Sequence, residues 1–224
     1  MSTAIVECVP NISEGRDIDK IERIVHAARI EGVKILGVEP DPDYNRTVIT
    51  FAGSQDLVER AALGLIKKAI EEIDMRTHTG EHPRMGCVDV CPFIPIRGVT
   101  MHDCVAMAQR VARQVAEQNV PVFLYGFASS SEMRKSLSAL RKGEYEGLEK
   151  KISDKAWIPD FGPSKIHKFA GATVVGCRDF LIAYNINLNT KNKKIATDIA
   201  LDIRESGRAK RDKDGLILRD SNGK

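Results

Sequence analysis

The sequence predicts an α+β fold, a mixed β-sheet with helices packed on one face. Three observations carry this. Apolar residues recur at helical spacing in separate stretches, as in Ile18, Ile21, Ile24, Val25 and Ala28. Between them lie short β-branched or alternating runs such as Val33 to Val38 and Arg46 to Ala52. The two kinds of segment alternate without strict βαβ regularity, and some strands are close enough in sequence to pair as hairpins.

Taken in order, Ala4 to Pro10 reads as a strand running into a loop, Asn11 to Gly15. The Ile18–Ala28 helix follows, with Gly32 as its stop. Val33 to Val38 is a strand, Glu39 to Asn45 an acidic turn-rich loop, and Arg46 to Ala52 a second strand. Ser54 is placed to cap a helix carrying Leu57, Val58, Ala61, Leu65, Ile66 and Ile73. Cys87 to Pro95 reads as a strand whose prolines suggest an edge position or an early exit. Thr100 and Asp103 form a capping-box signature for a helix reaching about Asn119, with His102 on its surface. Pro121 to Tyr125 is an apolar strand, and Ser130–Leu140 and Glu144–Lys151 are helical stretches. Ala172 to Gly176 and Phe180 to Asn187 read as strands joined near Arg178, and a last helix covers about Lys193 to Glu205.

The chain has 224 residues, 42% hydrophobic and 29% charged, with a net charge of +3. That balance is ordinary for a globular protein and too mild to require a nucleic acid. The basic residues from Arg204 to Lys213 read as a solvated tail. No apolar run approaches the roughly 18 residues a membrane span needs, and no basic-then-apolar leader opens the chain. Five cysteines, mostly inside apolar runs, fit reduced thiols acting as small hydrophobes. A cytoplasmic protein with no membrane partner is the expectation. No GxxxxGK[ST] run and no glycine-rich turn after a first strand occur, which disfavours nucleotide binding of the P-loop or Rossmann kind.

The densest chemistry lies in His78-Thr79-Gly80-Glu81-His82-Pro83-Arg84-Met85-Gly86. Histidine has the side-chain pKa nearest neutrality, so it suits proton transfer. Gly80 and Pro83 break helices and place these groups on a loop. Two other readings compete. His-x-x-x-His binds zinc when both rings share a helix face, which Gly80 and Pro83 oppose, and no third ligand is evident. The plain alternative is a solvated connection whose histidines do nothing.

Three polar loops flank strands: Asp41, Asp43, Asn45 and Arg46; His78 to Arg84; and Asp160 to Gly171. Loops at the ends of one sheet can converge on a cleft. The third mixes Trp157 and Phe161 with Lys165, His167 and Lys168, a composition suited to a flat ring bearing carboxylates. It reads equally as a linker with incidental charge.

Several stretches resemble the glutamate formimidoyltransferases, alone or as the first domain of formimidoyltransferase-cyclodeaminase. They are Val6 to Gly15, Asn45-Arg46-Thr47-Val48, Gly80 to Gly86 followed by Asp89 to Pro95, Asp160-Phe161-Gly162-Pro163, and Leu181 to Leu188. They run in the family's order from about residue 5 to residue 210. The resemblance implies a formiminotransferase N-terminal subdomain over 1–180 and the beginning of a C-terminal subdomain over 181–224, apparently truncated. It implies two sheets packed face to face around a folate tunnel, with the sheet face away from the helices available to the second subdomain's sheet, and a homodimer. It also implies transfer of a formimino group from N-formimino-L-glutamate to N5 of tetrahydrofolate, a co-substrate, with no metal. His82 matches the family's proton-transferring histidine. The folate-contacting segment corresponds to Pro163, Ser164, Lys165, Ile166, His167, Lys168, Phe169, Ala170, Gly171 and Ala172.

On that basis His82 is the expected proton shuttle, oriented by Glu81, Asp41 or Asp43. Arg46 and Arg84 are candidate partners for substrate carboxylates, with Asp41 and Asn45 as further candidate contacts. His78 is as readily structural as functional. The family's Tyr-Gly-Glu-Ala is Tyr125-Gly126-Phe127-Ala128 here, so a carboxylate is missing beside the expected cleft. The alternative is a folate-binding module, or a paralogue without formimino transfer that acts on another N5-substituted folate.

Overall fold

Seven strands form one mixed sheet in the computed structural model, which describes residues 4–182, 186 and 188–204. The strands are β1 (Ile5–Cys8), β2 (Asn11–Ile12), β3 (Lys34–Asp41), β4 (Arg46–Gly53), β5 (Val88–Arg97), β6 (Val122–Gly126) and β7 (Thr173–Cys177). β1 and β2 run end to end between β4 and β5, both antiparallel to each neighbour. β3 pairs antiparallel with β4 at one edge, while β5, β7 and β6 are parallel. Asn11–Ile12, expected as loop, thus joins the sheet.

Two strands run differently from the sequence expectation. β3 extends through Glu39, Pro40 and Asp41 because it is an edge strand, where a residue lacking N–H removes no ladder bond. β5 is central rather than an edge, and its prolines sit where the ladder is already interrupted. Pro92 faces the Val9–Pro10 break between β1 and β2, and Pro95 adjoins a register shift at Ile5/Val6.

Helices α1 (Ile18–His26), α2 (Gln55–Glu72) and α3 (Met101–Ala116) bury their apolar stripes against one sheet face. Ile21, Ile24 and Val25 of α1 meet Val58, Leu65 and Ile66 of α2 in that core. Each such fully buried aliphatic side chain contributes about 1.5–3 kcal/mol. The Thr100–Asp103 capping box forms, with Thr100 Oγ1 accepting from the Asp103 N–H at 3.1 Å and the Asp103 carboxylate accepting from the Thr100 N–H at 2.8 Å. Ser54 precedes α2 without a side-chain capping bond.

The opposite face is not uniformly open. Phe123, Tyr125, Val90 and Val174 point there and are covered by Leu140 of α4 (Leu137–Arg141) and by Leu148 and Ile152 of α5 (Leu148–Ile152). The α+β class and mixed sheet therefore hold, but helices cover both faces at the β5–β7–β6 end. The helical stretches expected over Ser130–Leu140 and Glu144–Lys151 form as a 3-10 turn at Glu132–Arg134 and the short helices α4 and α5, with Gly147 immediately before α5. Over β1, β2, β3 and β4 the second face stays partly exposed.

The described residues divide into two units, Met1–Phe180 and Leu181–Lys224. The second contains α6 (Lys193–Ile203), with apolar Ile195, Ile199 and Ile203 exposed. Of the strand expected over Phe180–Asn187, residues 180–182 pair with nothing in the sheet, and Ala183, Tyr184, Asn185 and Asn187 lie outside the described residues. All five cysteines are free and buried. No described helix is long and apolar enough to cross a membrane.

Candidate active site

Strand β5 carries an extra residue at its start. Asn11 pairs with Val90 but Ile12 with Val88, so Asp89 is a bulge that leaves the alternation of the strand. Bulges re-aim side chains, and this one turns a carboxylate toward the residue 82 loop. Asp89 is fully buried. Its Oδ1 accepts from the Met85 N–H at 3.1 Å, and its Oδ2 accepts from both Nε (2.9 Å) and Nη2 of Arg141 on α4. His82 Nε2 lies 3.6 Å from the same Oδ2. Burial alone would push the Asp89 carboxyl up, but His82 and the Arg141 guanidinium outweigh it and hold the group below its ordinary value.

The His82 side chain is 13% exposed. Its Nε2 is sealed from solvent and has no hydrogen bond within ordinary limits, leaving the Asp89 contact as its polar neighbour. At 3.6 Å that contact is longer than a formed hydrogen bond. The Tyr44 ring meets the imidazole edge-on, with centroids 6.2 Å apart. The loop backbone is tied to the β3–β4 turn, since the Glu81 N–H donates to Asp43 O at 3.2 Å and the His82 N–H to Tyr44 O at 3.4 Å.

The groups expected to orient His82 do other work. Glu81 is exposed. Asp41 Oδ1 accepts from the N–H groups of Asp43 and Tyr44, which builds the turn. Asp43 contributes its backbone carbonyl rather than its carboxylate. Asn45, at φ 49° and buried, accepts from the Gly15 N–H and donates to Thr79 O, so it fixes the turn against two loops. Asp89 and Arg141 replace these candidates. Their signal was present: a lone carboxylate inside the apolar run Cys87-Val88-Asp89-Val90-Cys91 must find a cation once buried.

Arg84 is also not free for a substrate carboxylate. All five of its N–H donors are engaged: Nε to His78 Nδ1, Nη1 to Glu144 and Glu146, Nη2 to Glu146 and the His78 carbonyl. The side chain is 5% exposed and clamps the loop to the α4–α5 connection. His78 completes that clamp, its Nε2 lying 2.9 Å from Asn45 O. With Nδ1 accepting from Arg84, His78 is a neutral, Nε2-protonated imidazole. Burial pushes its pKa down, and the Arg84 cation adds to this against the Asn45 bond. A folded-state histidine pKa below the unfolded value of about 6.5 makes the unfolded chain the better proton acceptor below neutrality. Stability should therefore fall as pH drops from about 7 through that value. Denaturant midpoints between pH 7.5 and 5.5 should show the decline, and His78→Gln should flatten it.

Arg46 is half-buried, donates to Asn11 Oδ1 at 3.3 Å and lies 5.8 Å from the Tyr44 ring centroid. Its Nε is buried without a partner. Of the two arginines it is the one not fully engaged among the described residues, and it stands beside the Tyr44 ring.

Pro163, Lys165, Ile166, His167, Lys168 and Phe169 line a cavity of about 420 Å³ together with Asn119. Ser164 is exposed nearby. The loop closes on itself through reciprocal bonds between the His167 and Gly171 backbones, and His167 Nδ1 accepts from the Ala170 N–H at 3.0 Å. Phe169 stacks on Arg76, 4.0 Å from the ring centroid. Ala170, Gly171 and Ala172 are buried and stitch this loop to the other: the Cys87 N–H donates to Ala170 O and the Ala172 N–H to Met85 O. The Pro163–Ala172 loop and the residues after His82 are thus one backbone-bonded unit. Gly86 sits at that seam, and a Cβ there would fall 2.3 Å from the carbonyl oxygens of both Ala170 and Ala172. Gly86→Ala should lower stability by about 1–3 kcal/mol or more, read from the unfolding midpoint.

Fold and site together define an α+β domain that presents an imidazole beside a buried carboxylate–guanidinium pair. The chain belongs to the family described as the formiminotransferase domain, N-terminal subdomain, which matches residues 5–178. It is 50% identical over 208 residues to formimidoyltransferase-cyclodeaminase of Rattus norvegicus, covering 92% of this chain and 38% of that one. It is 49% identical over 205 residues to glutamate formimidoyltransferase of Thermoplasma acidophilum, covering 90% and 67%, and 45% identical over 205 residues to that of Streptococcus pyogenes serotype M1, covering 91% and 69%. The chain therefore spans little more than a third of the rat relative and about two thirds of the other two.

Proposed function

We propose that this chain contributes to glutamate formimidoyltransferase activity, moving a formimino group from N-formimino-L-glutamate to N5 of tetrahydrofolate in histidine breakdown. The observation that carries the reading is the near-50% identity to a glutamate formimidoyltransferase over 205 residues, a stretch that includes the His82 loop. We further propose residues 1–180 as the formiminotransferase N-terminal subdomain and 181–224 as the beginning of the next. The division of contacts at Phe180 and the end of the family match at residue 178 support that boundary.

When bound, tetrahydrofolate supplies N5, the nucleophile that takes the formimino carbon as its bond to the glutamate nitrogen breaks. One proton must leave N5 and one must reach the departing nitrogen. His82 does both in turn, since an imidazole is competent as acid and base near neutrality. The loop cavity fits the co-substrate's chemistry: Lys165 and Lys168 suit the glutamyl carboxylates, and Ile166 and Phe169 offer apolar surface to a flat ring. Arg46, half-buried beside the Tyr44 ring, is the candidate for a substrate carboxylate. A cytoplasmic homodimer fits this reading, and the free buried thiols support a reducing compartment.

The test incubates the full chain with tetrahydrofolate and formiminoglutamate and follows 5-formiminotetrahydrofolate. Product formation is expected. Folate binding without turnover would favour the non-transferring module.

A further inference from the structure

The two nitrogens of His82 stand in different surroundings. Nε2 is sealed from solvent and faces the Oδ2 of Asp89 at 3.6 Å, with no other polar partner among the described residues. With Nε2 sealed, the 13% of the side chain that is exposed lies elsewhere on the residue, and Nδ1 forms no hydrogen bond among the described residues. Asp89 Oδ2 already accepts from Nε and Nη2 of Arg141, and Oδ1 from the Met85 N–H, so the carboxylate is held in place and charged. A lone pair on Nε2 would face that anion across a low-dielectric gap, which is repulsive, whereas an N–H there is attracted. A neutral ring in this setting has one stable tautomer.

We infer that Asp89, anchored by Arg141, is the positioning residue for His82, fixing the Nε2–H tautomer so that Nδ1 is the atom that takes and returns protons. The inference rests on the reading of His82 as the shuttle. It specifies which ring nitrogen must meet the folate and amidine, namely the one turned away from β5. The logic is that of an acid behind a catalytic imidazole, which stays ionised, orients the ring and stabilises its protonated form. Arg141 does not touch His82. It acts by keeping Asp89 charged and still, and α4 therefore contributes to a site it does not line. The Tyr44 ring stands edge-on to the imidazole, with centroids 6.2 Å apart.

The experiment is 15N NMR of the full-length chain labelled at histidine, with the His82 signals assigned by their loss in His82→Gln. Above the ring's titration, the wild type is expected to show a protonated Nε2 and a lone-pair Nδ1. A protonated Nδ1 in the neutral ring would overturn the inference and leave the transferase reading intact. The kinetic arm uses Asp89→Asn. It is expected to lower kcat about 10²–10⁴-fold with KM for the folate nearly unchanged and to shift the tautomer population. Full kcat together with the wild-type tautomer would overturn the positioning role. Should Asp89→Asn not fold, the wild-type spectrum still decides the tautomer. Full activity in His82→Gln, by contrast, removes the shuttle reading itself.

Discussion

His82→Gln is expected to yield a folded chain whose formimino transfer is slower by about 10²–10⁴, the usual worth of a positioned acid–base group. Glutamine approximates the volume of the ring and can still donate toward Asp89, so the buried carboxylate keeps Arg141, Met85 and a third polar neighbour. The loss should fall on kcat, because the cavity lined by Pro163 to Phe169 is built from other residues. An interaction made only as the proton moves lowers kcat and kcat/KM together and leaves KM nearly constant. Steady-state assays alongside a thermal unfolding curve separate the cases. A rise in KM alone would recast His82 as a binding residue, and an unchanged kcat would remove it from the chemistry.

Arg141→Met is expected to cost about 3–5 kcal/mol of stability, the scale for breaking a buried ion pair from one side. Asp89 is fully buried, and Arg141 supplies the two charge-assisted bonds to Oδ2. The pH dependence carries the sign. In the wild type the Asp89 carboxyl is held below its ordinary value, so its contribution is present above the unfolded pKa of about 3.9 and is lost as pH falls through the lower folded value. In the variant, burial is opposed only by His82 and the Met85 N–H, and the folded pKa rises. The deficit should then be largest near neutral pH and shrink on acidification as the carboxyl protonates. Denaturant titrations at pH 7.5 and 4.5 measure both values. A deficit below about 1 kcal/mol, the scale of an exposed pair, would show that the guanidinium does not hold Asp89.

The distribution of legible and illegible features follows the range of the interactions. The Thr100–Asp103 capping box spans three residues, and both of its bonds form. The α1 stripe of Ile21, Ile24 and Val25 is set by helix geometry alone. Glu39 to Asp41 read as a loop because proline and acidic residues are locally unfavourable in strands, yet pairing with β4 recruits them at a sheet edge. Cys87 to Pro95 read as an edge for its prolines, although the Val9–Pro10 interruption opposite makes room for them in the centre. Nothing local encodes that match.

The same division runs through the site. From its sequence alone the chain determined that the His82 imidazole sits on an irregular loop, since the glycine and proline around it break regular structure whatever packs against them. Sequence also determined the family, through long motifs in order. Tertiary structure decided what each polar group does there. Glu81, next in sequence to His82, faces solvent, while Asp89 reaches the ring through a bulge and Arg141 arrives from 52 residues beyond Asp89. Arg84 was open to any carboxylate until Glu144 and Glu146 occupied it. Charge pairing in a buried site depends on which groups lose water together, and only the packed chain fixes that.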